Sequence, residues 1–312
     1  MLEVCGLQIA FTLYERGLKQ KRVMPIRHLD LEIKAGEVVA VVGSSGSGKS
    51  LLAHAVLGIL PHNAEVRGEI WFQGERLTPE RQAQLRGKQM ALIPQSVSYL
   101  DPLMPVGSQV QLAARRSNNP AADVEAIFWR YQLPATVKQC YPFQLSGGMA
   151  RRVLVATAAI GSAQLLIADE PTPGLHPEMV TETLTHLRQL ADAGRGVMLI
   201  THDLEAALQI ADWIAVFYAG TTVEMARCED FRVKGNPSWP AGLRHPYSRA
   251  LWAALPQNGF QPLAGSQPSS EEPIRGCLFA SRCSSASEEC RGSLPPRQRL
   301  GEGWVRCFHA QG

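Results

Sequence analysis

The sequence predicts an α/β protein built on a largely parallel sheet with both faces covered, and three observations predict it. Val38-Val39-Ala40-Val41-Val42, Leu165-Leu166-Ile167-Ala168 and Val197 to Ile200 are short runs apolar on both faces, as buried central strands are. Segments of helical spacing separate them, as crossovers between parallel strands require. A glycine-rich turn joins the first run directly to a helix.

The elements follow in order. Leu2-Glu3-Val4 and Leu29 to Ile33 alternate apolar and polar, so each reads as a half-buried strand. Lys34 to Glu37 is a turn, and Val38 to Val42 the first central strand. Leu51 to Leu60 has helical spacing and should stop at Pro61. Residues 69–95 read as strand, turn, helix, strand, and residues 105–160 as mainly helical. Pro177 to Ala193 is a helix ended by Gly194, and Asp203 to Ala211 another. Trp213 to Tyr218 and Thr221 to Glu224 form a hairpin about Ala219-Gly220. Beyond about residue 232, Pro, Gly and Ser rise and periodicity fades, which marks an appended tail.

Composition narrows the functional classes. The 312 residues are 45% hydrophobic and only 19% charged, which suits a cored globular chain and excludes a disordered one. A formal charge of +3 gives no electrostatic reason to expect a nucleic acid. No apolar run is long enough to span a bilayer. Met1 to Ala10 contains Glu3 and lacks a basic leader, so no signal peptide is expected. Any work at a membrane must go through docking onto membrane subunits.

The chemistry begins at Gly43-Ser44-Ser45-Gly46-Ser47-Gly48-Lys49-Ser50, which fits G-x-x-x-x-G-K-[ST] between a buried strand and a helix. Its glycines let backbone N–H groups converge on phosphate oxygens, and the helix start that continues into Leu51 adds favourable partial charge. Lys49 is expected to reach the β- and γ-phosphates of ATP and Ser50 to ligate Mg²⁺. The strand Leu165 to Ala168 runs into Asp169-Glu170. Asp169 is placed to hold Mg²⁺ through its water shell, and Glu170 to orient or deprotonate the attacking water. His202, after the next strand, is a candidate contact to the γ-phosphate; the plain alternative is a satisfied buried histidine.

Leu145-Ser146-Gly147-Gly148-Met149, followed by Arg151-Arg152, resembles the Leu-Ser-Gly-Gly-Gln signature of ABC ATPases, with Met149 in place of Gln. Ser146 and the amides of Gly147 and Gly148 make a second anion site at a helix N-terminus. The resemblance implies that this site serves the phosphate loop of a second ABC subunit. Gln95 resembles the Q-loop residue that ligates Mg²⁺ and couples to membrane subunits, Tyr99-Leu100-Asp101-Pro102 the stretch that follows it in importers, and His202 the H-loop residue. Phe11, with Tyr14 as the other candidate, is the expected adenine platform. Where the family reads Pro-Thr-x-Ala-Leu-Asp, this chain has Pro171-Thr172-Pro173-Gly174-Leu175-His176, so the resemblance implies either one weakened ATP site, a complementary loop from a heteromeric partner, or a harmless variant.

His245-Pro246-Tyr247-Ser248-Arg249-Ala250-Leu251 resembles the His-Pro-Tyr segment of the oligopeptide/dipeptide/nickel importer branch, and Cys277, Cys283, Cys290 and Cys307 follow it. Four thiolates suit a [4Fe–4S] cluster, as in some members of that branch; Zn²⁺ would use the same ligands, and four reduced cysteines need neither. The expected organisation is a P-loop NTPase of residues 1–234 with a RecA-like core, an antiparallel β-subdomain and a helical subdomain near 96–160. Residues 235–312 form the cysteine-containing extension. The resemblance implies an importer ATPase, peripheral on the cytoplasmic face of the inner membrane, working with a second ATPase subunit, two integral permease subunits and, indirectly, an extracytoplasmic solute-binding protein. Peptides are the expected cargo, with nickel or metal chelates next. A soluble non-transport ABC ATPase is the alternative.

Overall fold

The apolar runs lie side by side at the centre of a sheet, where their two faces feed two different cores. The computed structural model describes residues 1–14, 20–232 and 240–310. Its strands are β1 (Leu2–Tyr14), β2 (Gln20–Ile33), β3 (Val38–Gly43), β4 (Ala64–Phe72), β5 (Glu75–Arg76), β6 (Met90–Ile93), β7 (Leu165–Asp169), β8 (Gly196–Thr201), β9 (Trp213–Tyr218) and β10 (Thr221–Arg227). They run in the order β5-β4-β1-β2-β10-β9-β3-β8-β7-β6. β9, β3, β8, β7 and β6 are parallel neighbours, and β3, β7, β8 and β9 are buried at every residue.

Period-two alternation divides the core. Val38, Ala40 and Val42 pack with Leu166, Ala168, Val197 and Leu199 on one face, whereas Val39, Val41, Ile167, Met198 and Ile200 pack on the other. The first face is covered by α3 (Val106–Arg116), α4 (Val124–Arg130), α5 (Gly147–Ala159), α6 (Pro177–Asp192) and α7 (Leu204–Ile210). The second is covered by α1 (Lys49–Leu57), by α2 (Pro79–Leu85) beside it, and by the antiparallel lobe in which β1 pairs with β2 and β4. That lobe joins β10 through a single parallel pair, Thr221↔His28.

The expected element types are those observed, but several boundaries differ: β1 runs on to Tyr14 rather than ending at Val4, β2 begins at Gln20 rather than Leu29, and β10 ends at Arg227 rather than Glu224. α1 stops at Leu57 rather than at Pro61, because Gly58 takes a left-handed conformation (φ 64°) and its N–H closes onto His54 and Ala55 carbonyls. The hairpin turn at Ala219 (φ 47°) and Gly220 (φ 80°) is the doubly left-handed form that matches strand twist.

The C-terminal segment is woven into the molecule rather than merely appended. α8 (Pro246–Ala253) follows the His-Pro-Tyr motif, then come α9 (Glu288–Gly292), β11 (Gln298–Leu300) and β12 (Gly303–Val305). β12 pairs antiparallel with β10 through Glu224↔Val305 and Met225↔Trp304. The expected boundary at residues 234–235 lies outside the described residues.

One buried ion pair ties this segment to the N-terminal lobe. Arg306 donates to Asp30, which also accepts from the Gly6 N–H at 2.9 Å. Burial alone would raise the Asp30 carboxyl, but hydrogen bonds from His28, Gly6 and Arg306 and the guanidinium charge hold it well below the ordinary carboxylate range. Arg306→Met leaves that carboxylate buried without its cation and is expected to cost about 3–5 kcal/mol in denaturant unfolding. A depressed carboxyl stabilises the fold above its unfolded pKa, so this contribution is lost as pH falls below the ordinary carboxylate value towards the depressed one. A variant that unfolds at the wild-type midpoint at neutral pH contradicts the assignment.

Candidate active site

The phosphate loop forms where β3 ends beside β9. Gly43 adopts φ 155°, and a Cβ there would lie 2.2 Å from the Phe217 carbonyl oxygen, so only glycine lets the chain leave the sheet at this point. Gly48 (φ 94°) serves as N-cap of α1 and sits against Pro25 and Ile26. The helix N-terminus therefore opens, without a side chain of its own, into a cleft of about 560 Å³.

The loop residues Ser45, Gly46, Gly48, Lys49, Ser50 and Leu51 line one wall of that cleft. Gln95, Glu170 and His202 line the other. Ser44 and Ser47 lie just behind, with Ser47 fully buried. Lys49 Nζ donates to the Gly43 carbonyl at 2.9 Å and the Ser44 carbonyl at 3.0 Å. Burial lowers its pKa, while the charges of Glu170 and Asp169 oppose that shift. An anion on the loop would give the ammonium a better partner than two neutral carbonyls.

The carboxylates stand in two different states of satisfaction. Asp169, at the end of β7, is hydrogen-bonded to Ser50, yet its Oδ1 is buried without a partner. Burial and the neighbouring Glu170 raise its pKa, against the Ser50 hydrogen bond and the His54 and Lys49 charges. A buried carboxylate oxygen left bare beside a serine hydroxyl fits a hard cation such as Mg²⁺, held through those two residues. Glu170 departs from the strand with φ 48°, a left-handed backbone that costs a non-glycine residue about 1–3 kcal/mol. That turn, fixed by its N–H on the Ile200 carbonyl at 2.9 Å, sends the carboxylate into the cleft. Its Oε1 lies 2.9 Å from His202 Nδ1, and its Oε2 is buried and unpartnered. A base held by one oxygen and bare at the other is arranged to orient a water.

The remaining sequence candidates divide. Ser146 caps α5, accepting from the Met149 N–H at 3.3 Å; it and Gly147 are exposed, and neither lines the cleft of its own chain. Gly148 abuts the Gly174 carbonyl, so the signature and the Pro171–His176 loop share one edge. Arg151 in the signature helix donates to the Pro94 carbonyl next to Gln95, a link that the sequence reading missed. Phe11 packs against the core of the β-lobe and lines no part of the cleft, whereas Pro25 does.

The four C-terminal cysteines converge without forming a cage. Burial, then the nearness of Cys290, Cys307 and Cys283, pushes the Cys277 thiol up to about 11. Cys290 Sγ sits 3.5 Å from His309 Nε2 and 3.4 Å from Ser287 Oγ. Among the described residues no group of three or more His, Cys, Asp or Glu is arranged to hold a metal ion.

Known proteins resemble the chain in both of its parts. The ABC transporter family matches residues 26–173, and the oligopeptide/dipeptide transporter C-terminal region matches residues 239–290. The oligopeptide transport ATP-binding protein OppD of Salmonella typhimurium is 33% identical over 99% of this chain and 93% of its own length. The probable D,D-dipeptide transport ATP-binding protein DdpD of Escherichia coli is 33% identical over 91% and 90%. Against the Mycobacterium tuberculosis OppD the identity is 34% over 95% of this chain, which spans only 49% of that longer protein. A dimeric bacterial ABC transporter cassette superimposes with a TM-score of 0.64 over 73% of this chain and 99% of its own, at 22% identity, a likeness of fold.

Proposed function

The chain belongs to the ABC transporter ATP-binding proteins, in their oligopeptide/dipeptide branch, and from that premise we propose that it is the ATP-hydrolysing motor of a bacterial peptide importer. The observation that carries the reading is the division of the site. One chain gathers Lys49, Ser50, Glu170 and His202 around one cleft, with Asp169 buried beside Ser50, while its exposed helix start at Ser146 lines no part of that cleft. Half-sites of this kind are completed when two cassettes face each other, so that ATP joins them and its hydrolysis releases them.

In this reading the loop amides and Lys49 bind the β- and γ-phosphates. Ser50, Asp169 and Gln95 would hold Mg²⁺, which would supply charge neutralisation on the phosphates. Glu170 takes the proton of the attacking water while His202 fixes its orientation. Phe11 stays the proposed adenine platform.

Coupling to two integral membrane subunits has support beside Gln95. A groove of about 600 Å³ between α3, α5 and β6 is lined by Tyr99, Met104, Leu112 and Arg116. Tyr99, which lines it, and Leu103, the residue before Met104, are exposed apolar side chains, Leu103 at 86%. No helix among the described residues is long and apolar enough to cross a membrane, so a peripheral place on the cytoplasmic face of the inner membrane rests on this groove. A solute-binding protein would then act on the far side, and the convergent thiols are what supports a metal in the extension, iron–sulfur before zinc.

The test is reconstitution of the chain with its membrane subunits and binding protein in vesicles. ATP-dependent uptake of a labelled oligopeptide is expected, with a nickel chelate as the second cargo offered. Co-sedimentation with ribosomes and no stimulation of ATPase by membrane subunits would support the soluble, non-transport alternative instead.

A further inference from the structure

We infer that the C-terminal segment braces the phosphate loop through Tyr247 and Gln267, so that residues more than two hundred positions away set the affinity of the site for ATP. The inference rests on the reading of that loop as the nucleotide cradle.

The contact point is Ser44, the second residue of the loop. Its N–H donates to the Tyr247 hydroxyl at 3.3 Å, and its own hydroxyl donates to Gln267 Oε1 at 2.7 Å. Its carbonyl accepts from Lys49 Nζ at 3.0 Å. The residue that parks the phosphate-binding lysine is therefore held on its other two polar groups by the C-terminal segment. Gln267 continues along the loop, with Nε2 3.4 Å from the Ser45 carbonyl and beside Gly46, where a Cβ would meet it at 3.5 Å.

Both braces are themselves anchored. Tyr247 is buried, its ring 4.5 Å from that of Tyr218 and 5.5 Å from that of Phe279. Tyr218 ends β9, directly after the Phe217 carbonyl against which Gly43 turns. The His-Pro-Tyr motif sets the register: His245 Nδ1 accepts from the Tyr247 N–H at 3.0 Å, and buried Glu224 accepts from the Arg244 and His245 amides at 2.7 and 3.0 Å. Gln267 lies on a stretch tied to β2, where the Met24 N–H donates to the Ser270 carbonyl at 2.8 Å and Arg27 donates to the Ser269 and Glu272 carbonyls. A Ser/Gly loop held in one conformation loses less freedom when it closes on phosphate, which raises affinity without touching the ligand.

Tyr247 and Gln267 are thus positioning residues, and the full chain carries the test. Tyr247→Phe removes one hydroxyl and keeps the ring packing; Gln267→Ala removes the second brace. The readouts are the Kd for a fluorescent ATP analogue, KM and kcat for ATP, and the nucleotide-free Tm. The double variant is expected to weaken Kd and raise KM about three- to tenfold, as loss of one or two neutral hydrogen bonds implies, with kcat changed far less and Tm unmoved. Kd within twofold of wild type overturns the brace, and so does a Kd that rises only together with a fall in Tm, which would make the contact packing alone. If wild type itself binds no ATP analogue, the nucleotide reading fails first, and the two failures are thereby told apart.

Discussion

Glu170→Gln is expected to bind ATP normally, lock two cassettes together and lower turnover about 10²–10⁴-fold, the usual worth of a positioned general base. The substitution is nearly isosteric. It keeps an oxygen for the 2.9 Å contact to His202 and leaves the left-handed turn and its Ile200 hydrogen bond intact. What it removes is the basicity of the bare Oε2, the atom the fold has stripped of every other partner. Binding and chemistry should therefore separate. The Kd for ATP stays near wild type, single-turnover hydrolysis collapses, and size-exclusion chromatography shows an ATP-dependent dimer that persists because its ligand is not consumed. Hydrolysis within threefold of wild type would show that another group activates the water, and the roles of Glu170 and His202 would have to be reassigned.

That turn at Glu170 also marks how far the sequence could be read. Val38–Val42 and Leu165–Ala168 announced themselves because strands covered on both faces need apolar residues without alternation, and Gly43 to Ser50 because a phosphate cradle needs glycine at fixed steps. The type of nearly every element followed from local pattern. The geometry that makes the site work did not. Nothing in Asp169-Glu170 signals a left-handed backbone at the second carboxylate, since an adjacent strand imposes it through Ile200. The braces on Ser44 from Tyr247 and Gln267 span 203 and 223 residues, and no periodicity encodes contacts of that range. The pairing of β12 with β10 was hidden for the same reason, in a stretch whose Pro and Ser content reads locally as loose tail.

The exposed signature yields the sharpest test of a shared site, through Ser146→Asp. Aspartate is as good an N-cap as serine, so the Met149 N–H keeps an acceptor, and a negative charge at the start of α5 favours the helix. Folding is expected to be unharmed. A γ-phosphate brought to that helix start by a second cassette would meet a carboxylate about 4 Å away, which at the effective dielectric of such a surface costs about 4 kcal/mol, a loss near 10³-fold. Hydrolysis should vanish in the purified variant although its own cleft is untouched. Mixing then decides the geometry. In a dimer of one Ser146→Asp chain with one Glu170→Gln chain, one composite site collects both defects and the other collects neither. Two inactive proteins should regain ATPase activity when combined if each site draws its signature from the opposite chain. If each chain completed its own site, every site in the mixture would carry a defect, and the combination would stay as inactive as its parts.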